Sequence, residues 1–249
     1  MKPFLTLALL ASAVPTPALA QETRSFAAAG FDRIDVRGCD HVAISFGAGF
    51  AVRAQGQAGS LAAIGVAVRG RVLTLLRAKG SCDSRQNKPA ATMAITLPRL
   101  TAIDASGTGS VRIAAFDTPS FEARMSGTGS LAIDGLRATR ATIDLSGTST
   151  AMLRGVRAQR LSLDLSGTGR IVADGRADAL AIDASGTGHV DTSTLTTAAL
   201  SVDASGTGSV RAAVAGPANI DASGIARVTV TGRPHCAVSK SGMARVTCG

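Results

Sequence analysis

The chain has no tryptophan and no tyrosine, and only 7 phenylalanines in 249 residues. Lectins and carbohydrate enzymes that stack sugars need such rings, and single-strand nucleic-acid readers stack bases on them. The composition argues against both classes. Histidine is scarce, with His41, His189 and His235 scattered along the chain. Serines abound, but no histidine recurs with them, so a serine triad is not supported. Acidic residues are the minority, 17 against 26 Lys and Arg, for a formal net charge of +9. Long apolar runs are missing too: nothing approaches the roughly 20 residues of a membrane span. What remains is a 45% hydrophobic fraction, normal for a packed globular chain, and 28 glycines.

The first twenty residues read as an export signal. Lys2 supplies the positive start, Phe4 to Val14 the apolar run, and Ala18-Leu19-Ala20 the small-x-small cleavage pattern. Cleavage is expected after Ala20. The mature chain is therefore expected in the periplasm or outside the cell, with no transmembrane segment. Export permits disulfides. The four cysteines are Cys39, Cys82, Cys236 and Cys248. Of three pairings, Cys39–Cys82 with Cys236–Cys248 is preferred, because each bond then ties one end of the molecule. No C-x-x-C pair offers metal-ligand spacing, and no cofactor is indicated.

Internal repetition is the dominant signal. "IDASGTGSVRI" at 103–113 is echoed by "ARMSGTGSLAI", "IDLSGTSTAML", "LDLSGTGRIVA", "IDASGTGHVDT" and "VDASGTGSVRA". Weaker copies follow at Ser223 and Ser241. The aligned pairs are Ser106–Gly107, Ser126–Gly127, Ser146–Gly147, Ser166–Gly167, Ser185–Gly186 and Ser205–Gly206, spaced 19 or 20 residues, with 18 to each weaker copy. Such a period marks a solenoid. Apolar residues alternate before each serine (Ile143/Leu145, Leu163/Leu165) and after it (Leu131/Ile133, Val190/Thr192). Period-two alternation makes two short strands with one inward face. S-G-T-G between them reads as a turn, because glycine reaches positive φ without strain. The fold expected is all-β: a parallel β-helix with coils of about 20 residues stacked about 4.8 Å apart.

Three segments follow. Residues 1–20 are the signal peptide. Residues 21–98 carry strand patterns without the repeat, such as "FDRIDVRG" and "HVAISFG", and are expected to start and cap the solenoid. Val68-Arg69-Gly70-Arg71-Val72 reads as a hairpin turn. Residues 99–249 are the repeat solenoid, closed by a disulfide cap.

S-G-T-G recurring in strand-like units, with "FDRIDVRG" and "LPRLTAIDASGTG" ahead of it, resembles the head GIN domain family. That family is named for auto-transporter adhesins and is largely of unknown function. The resemblance covers the chain from about Phe31 onward. It implies an exported β-helical envelope protein and carries over no catalytic residue. No amphipathic aromatic strands precede Gly249, so a membrane barrel of the chain's own is not expected.

Two polar ladders remain. Asp104, Asp144, Asp164, Asp183, Asp203 and Asp221 each stand two residues before a repeat serine, with Arg124 in the second repeat. The simplest role for D-x-S-G is local, the carboxylate accepting backbone N–H bonds of the following turn. A cation ladder is the alternative. Arginines also stack: Arg137 with Arg157, and Arg140 with Arg160, each pair 20 apart. They form a candidate strip for acidic polymers, or else a solvated edge that blocks aggregation. The reading favoured is a non-enzymatic, exported interaction module or adhesin that meets an envelope or surface component. The alternatives are an envelope polysaccharide-active enzyme and an acidic-polymer-binding protein.

Overall fold

A computed structural model describes residues 21–78, 82 and 89–249. The expected export signal lies outside these. The chain is almost entirely strand. Its N-terminal part contains β1 (Glu22–Phe26), β2 (Arg33–Gly38), β3 (His41–Phe46), β4 (Ala51–Gly56), one helical turn α1 (Ala58–Ala62), β5 (Ile64–Arg69), β6 (Val72–Arg77), β7 (Thr92–Leu97), β8 (Ala102–Gly107) and β9 (Ser110–Ile113). Five long strands follow, each bending round most of a coil: β10 (Phe116–Gly127), β11 (Ser130–Gly147), β12 (Thr150–Gly167), β13 (Arg170–Gly186) and β14 (His189–Gly206). Short strands finish the stack: β15 (Ser209–Val214), β16 (Pro217–Ala222), β17 (Arg227–Gly232), β18 (His235–Lys240) and β19 (Arg245–Cys248).

Coils stack in parallel, and identical motif positions fall in one column. Ser146 pairs with Ser166, Ser166 with Ser185 and Ser185 with Ser205. The inward residues line up in the same way. Ile143, Leu163, Ile182, Val202 and Ile220 form one buried column, each at most 2% exposed. Burying each such side chain contributes roughly 1.5–3 kcal/mol, and only the neighbouring coils make that burial complete.

The middle coils have three faces. The first precedes S-G-T-G, and the second follows it. A third appears where the sequence suggests only a loop: Leu136 pairs with Val156, Arg137 with Arg157 and Ala138 with Ala158. This face begins at Phe116 and is cut short in the last coils, whose period falls to 18.

The N-terminal segment is not a cap laid on in chain order. β2 lies between β6 and β8, with Ile34 opposite both Leu73 and Ile103. β3 lies between β7 and β9, with Ile44 opposite both Ile95 and Ile113. The first coil in sequence is thus an interior coil in space. A parallel strand has two free edges, and the returning chain takes the outer one. Closure comes from antiparallel strands: β5 pairs β6 across the Gly70-Arg71 hairpin, β4 pairs β7, and β1 pairs β4. At this end Arg77, with 2% of its side chain exposed, donates from Nε to both oxygens of Asp40, at 2.9 Å each. The Ala91 N–H donates to Asp40 Oδ1 at 2.8 Å. Cys39 and Cys82 are bonded beside them.

At the other end the core is open. Val238 continues the buried Ile220 column but is 45% exposed, since among the described residues no strand stacks on its outer side. Lys240 and Arg245 stand on the terminal strands, and edge charges of this kind discourage strand-to-strand association. The Cys236–Cys248 bond joins β18 to β19.

Candidate functional site

The S-G-T-G turns are structural. Gly107, Gly127, Gly147, Gly167, Gly186 and Gly206 all hold positive φ, from 85° to 121°. Their turn amides bond the coil before. Thr128 N–H donates to Gly107 O at 2.9 Å, Thr148 N–H to Gly127 O at 2.8 Å, and Thr168 N–H to Gly147 O at 2.9 Å. This corrects the local role expected for the aspartates. Among the described residues, no ladder carboxylate accepts an N–H of the turn after it, because those donors are already taken. The carboxylates point outward instead. Asp144, Asp164, Asp183, Asp203 and Asp221 pair in register over five coils of the first face. Neighbouring charges about 4.8 Å apart repel by about 1 kcal/mol in water, and by more where solvent is partly excluded. At Asp164, burial pushes the carboxyl pKa up. The bond from Ser162 opposes this, and the charges of Asp183 and Asp144 add to it. Among the described residues, no group of three His, Cys, Asp or Glu side chains has the arrangement of a metal site.

The arginines predicted to stack do so on the third face. Arg137 pairs with Arg157, and Arg140 with Arg160. Arg157 also pairs with Arg176, extending the first column to three coils. Arg137 reaches Asp117 at 4.0 Å and Arg176 reaches Asp178 at 3.8 Å. Arg140, Arg157 and Arg160 have no ion-pair partner among the described residues. Two neighbours in sequence go elsewhere: Arg154 bonds Asp134 on the second face, and Arg170 aligns with His189.

Each column borders a depression. Arg137, Arg157 and Arg176 wall a trough of about 740 Å³ at the corner between the second and third faces. Gly135, Gly155 and Gly175 line it, and Phe46 and Phe116 close one end, stacked at 4.9 Å. Arg140 and Arg160 flank a smaller groove of about 350 Å³ at the opposite corner, which continues over Ala179, Leu180, Leu200 and Pro217. The sequence showed the arginine columns but not these grooves. The glycines after Asp134, Arg154 and Asp174 were the signal for the first of them.

A third cleft, of about 710 Å³, sets Asp32, Arg71 and Arg99 beside Asp104, Glu122 and Arg124 of the first repeats. Its carboxylates are committed. Asp32 accepts from Arg71 and, at 3.5 Å, from Arg99. Glu122 is paired with Arg124, which also lies 3.6 Å from Asp104. The bond from Arg71 draws the Asp32 pKa down, against the opposing effect of burial. A carboxylate held ionised as Asp32 is makes a poor general acid.

Two His–Ser contacts escaped the sequence reading. His41 Nδ1 lies 2.7 Å from Ser110 Oγ, and His189 Nδ1 lies 2.8 Å from Ser209 Oγ. Both arise from register alone. Both imidazoles are exposed on flat strand, and among the described residues neither has a carboxylate to orient it.

Several solved structures share this fold. A putative lipid binding protein from Parabacteroides distasonis superposes with a TM-score of 0.84, over 92% of this chain and 96% of its own, at 16% identity. A putative adhesin from Bacteroides fragilis gives 0.68 over 93% and 98%, at 20% identity. A putative adhesin from Parabacteroides merdae gives 0.79 over 92% and 96%, at 12% identity. Identities this low establish the fold alone. No curated protein matches the chain. The profile of a family described as putative auto-transporter adhesin, head GIN domain, matches residues 30–234. That span contains all six S-G-T-G or S-G-T-S turns, and the chain belongs to the head GIN domain family.

Proposed function

We propose that the chain is an exported, non-enzymatic β-solenoid that holds acidic components of the bacterial envelope, in an adhesive or interaction role. The observation that carries this reading is the pair of in-register arginine columns on one face, with no ion-pair partner for Arg140, Arg157 or Arg160 among the described residues. Stacking like charges is unfavourable unless an anionic partner or solvent offsets it. The paired carboxylates of the cleft around Asp32 favour binding over catalysis. Two disulfides, and no described helix long and apolar enough to cross a membrane, fit an exported chain. The test is retention of envelope fractions on the immobilised protein at low and high salt. Retention at low salt that is lost at high salt, and lost in Arg157→Glu, is the expected outcome. No retention at low salt overturns the reading.

A second reading rests on the groove beside Arg140 and Arg160. Ala179, Ala181 and Ala199, none of them buried, offer an acyl chain an apolar bed, and the two guanidiniums an anionic headgroup. One structural neighbour is named for lipid binding, which makes this worth testing. Displacement of a fluorescent fatty acid, abolished by Ala179→Glu, would support it.

A further inference from the structure

We propose that the trough between the second and third faces is a binding groove for a linear polyuronate, a polysaccharide whose chain lies along the solenoid axis with its carboxylates on Arg137, Arg157 and Arg176. This rests on the reading that the basic face meets an anionic polymer, and it names the polymer class and the groove.

The geometry selects a linear, regularly charged ligand. One guanidinium is offered per coil, so charges repeat about every 4.8 Å along a straight line. That is close to the length of one extended hexuronate residue. The trough spans consecutive coils and is open along its length, so it admits a chain and does not enclose a small molecule. Gly135, Gly155 and Gly175 leave its floor without side chains. A Cβ at Gly155 would find only Gly135 Cα, 3.9 Å away, so the space above it is free. Polymer can therefore lie on backbone while the arginines close over its carboxylates, in the forked pairing that guanidinium and carboxylate share. Thr139 and Gln159 stand exposed between the two arginine columns and can bond sugar hydroxyls.

Nucleic acid fits less well. Base recognition on a single strand uses exposed rings. The chain has no Trp or Tyr, and Phe116 at the trough's end is 7% exposed, stacked on Phe46 and edge-on to Phe121. The same lack of rings excludes neutral sugars held by stacking and leaves charge as the means of recognition.

The experiment titrates the purified chain with oligogalacturonates of graded length. Controls are the neutral oligogalactan and a single-stranded oligothymidylate. Affinity is expected to rise with length until the oligomer covers the three coils of Arg137, Arg157 and Arg176, and to fall with salt. Arg157→Glu is expected to weaken binding on the order of tenfold or more. Gly155→Asn places a side chain on the floor at φ +60°, a conformation asparagine tolerates, and is expected to weaken binding similarly. Arg227→Glu makes the same charge change on the second face and is expected to leave binding unchanged. Equal affinity for oligothymidylate, or indifference to Arg157→Glu, overturns the proposal. Loss in Arg157→Glu without loss in a folded Gly155→Asn leaves a charged patch and overturns the groove. If oligogalacturonate does not bind but envelope retention still depends on Arg157, the groove proposal falls and the broader function stands.

Discussion

Gly147 rests directly on the backbone of Gly127. A Cβ at Gly147 would lie 2.6 Å from the Gly127 carbonyl oxygen and 3.1 Å from its nitrogen, and Gly147 holds φ at +85°. The obstruction is backbone, so no rotamer relieves it. Gly147→Ala is expected to cost about 2–4 kcal/mol, from clash and left-handed strain together. Gly155→Ala, at φ +60° with open space above it, is expected to cost about 1 kcal/mol. Denaturant unfolding of both variants checks the difference.

The Asp40–Arg77 pair is nearly dry and tied to the backbone of the 89–91 segment, Arg77 bonding Pro89 O and Asp40 accepting from Ala91. Removing the Asp40 carboxylate deletes this ion pair and takes the acceptor from the Ala91 N–H. Asp40→Ala is expected to cost about 3–5 kcal/mol, measured as a fall in unfolding midpoint.

Stability is expected to respond to pH in opposite directions at two aspartates. Asp164 has its pKa raised, so the folded chain binds more protons than the unfolded one just above the ordinary 3.8. Its contribution declines as pH rises through that window. Asp32 has its pKa lowered, so it stabilises above the ordinary value and loses that contribution as pH falls through the lowered one. Asp164→Asn is expected to raise Tm slightly at neutral pH, with the gain vanishing as pH falls below the ordinary carboxylate range. Asp32→Asn is expected to lower Tm at neutral pH. Melting curves across pH check both signs.

The Cys236–Cys248 bond closes a separation of 12 residues in the final coil. Loop closure of that size restrains the open chain by about 3 kcal/mol. Because each coil contacts only its neighbours, Cys236→Ser with Cys248→Ser is expected to fray β18 and β19 and leave β11–β13 intact. Amide exchange, rising only in the last coils, is the measurement.

The columns were legible because repetition fixes them. Once Ser146 and Ser166 share a turn, Ile143 must stack on Leu163 and Arg137 on Arg157. The Asp column was legible for the same reason, while its bonding was not. Whether Asp164 can reach a turn amide depends on whether the coil beneath has already taken it, and sequence spacing carries no such information. The third face was missed because segments such as Arg137–Arg140 alternate too briefly to read as strand. The His41–Ser110 contact was missed because its partners lie 69 residues apart.

By itself the sequence determined the coil length, the inward and outward alternation and the in-register stacking of like residues, since each depends on local period and on glycine's freedom at the turns. Only the tertiary structure decided that the coil of Arg33–Phe46 is interior, that Asp40 and Arg77 are buried together, and that Arg137, Arg157 and Arg176 wall a glycine-lined trough. A strand offers two equivalent edges, and a corner acquires its shape from three coils at once. Both are settled by which surfaces meet, and the order of residues along the chain does not specify that.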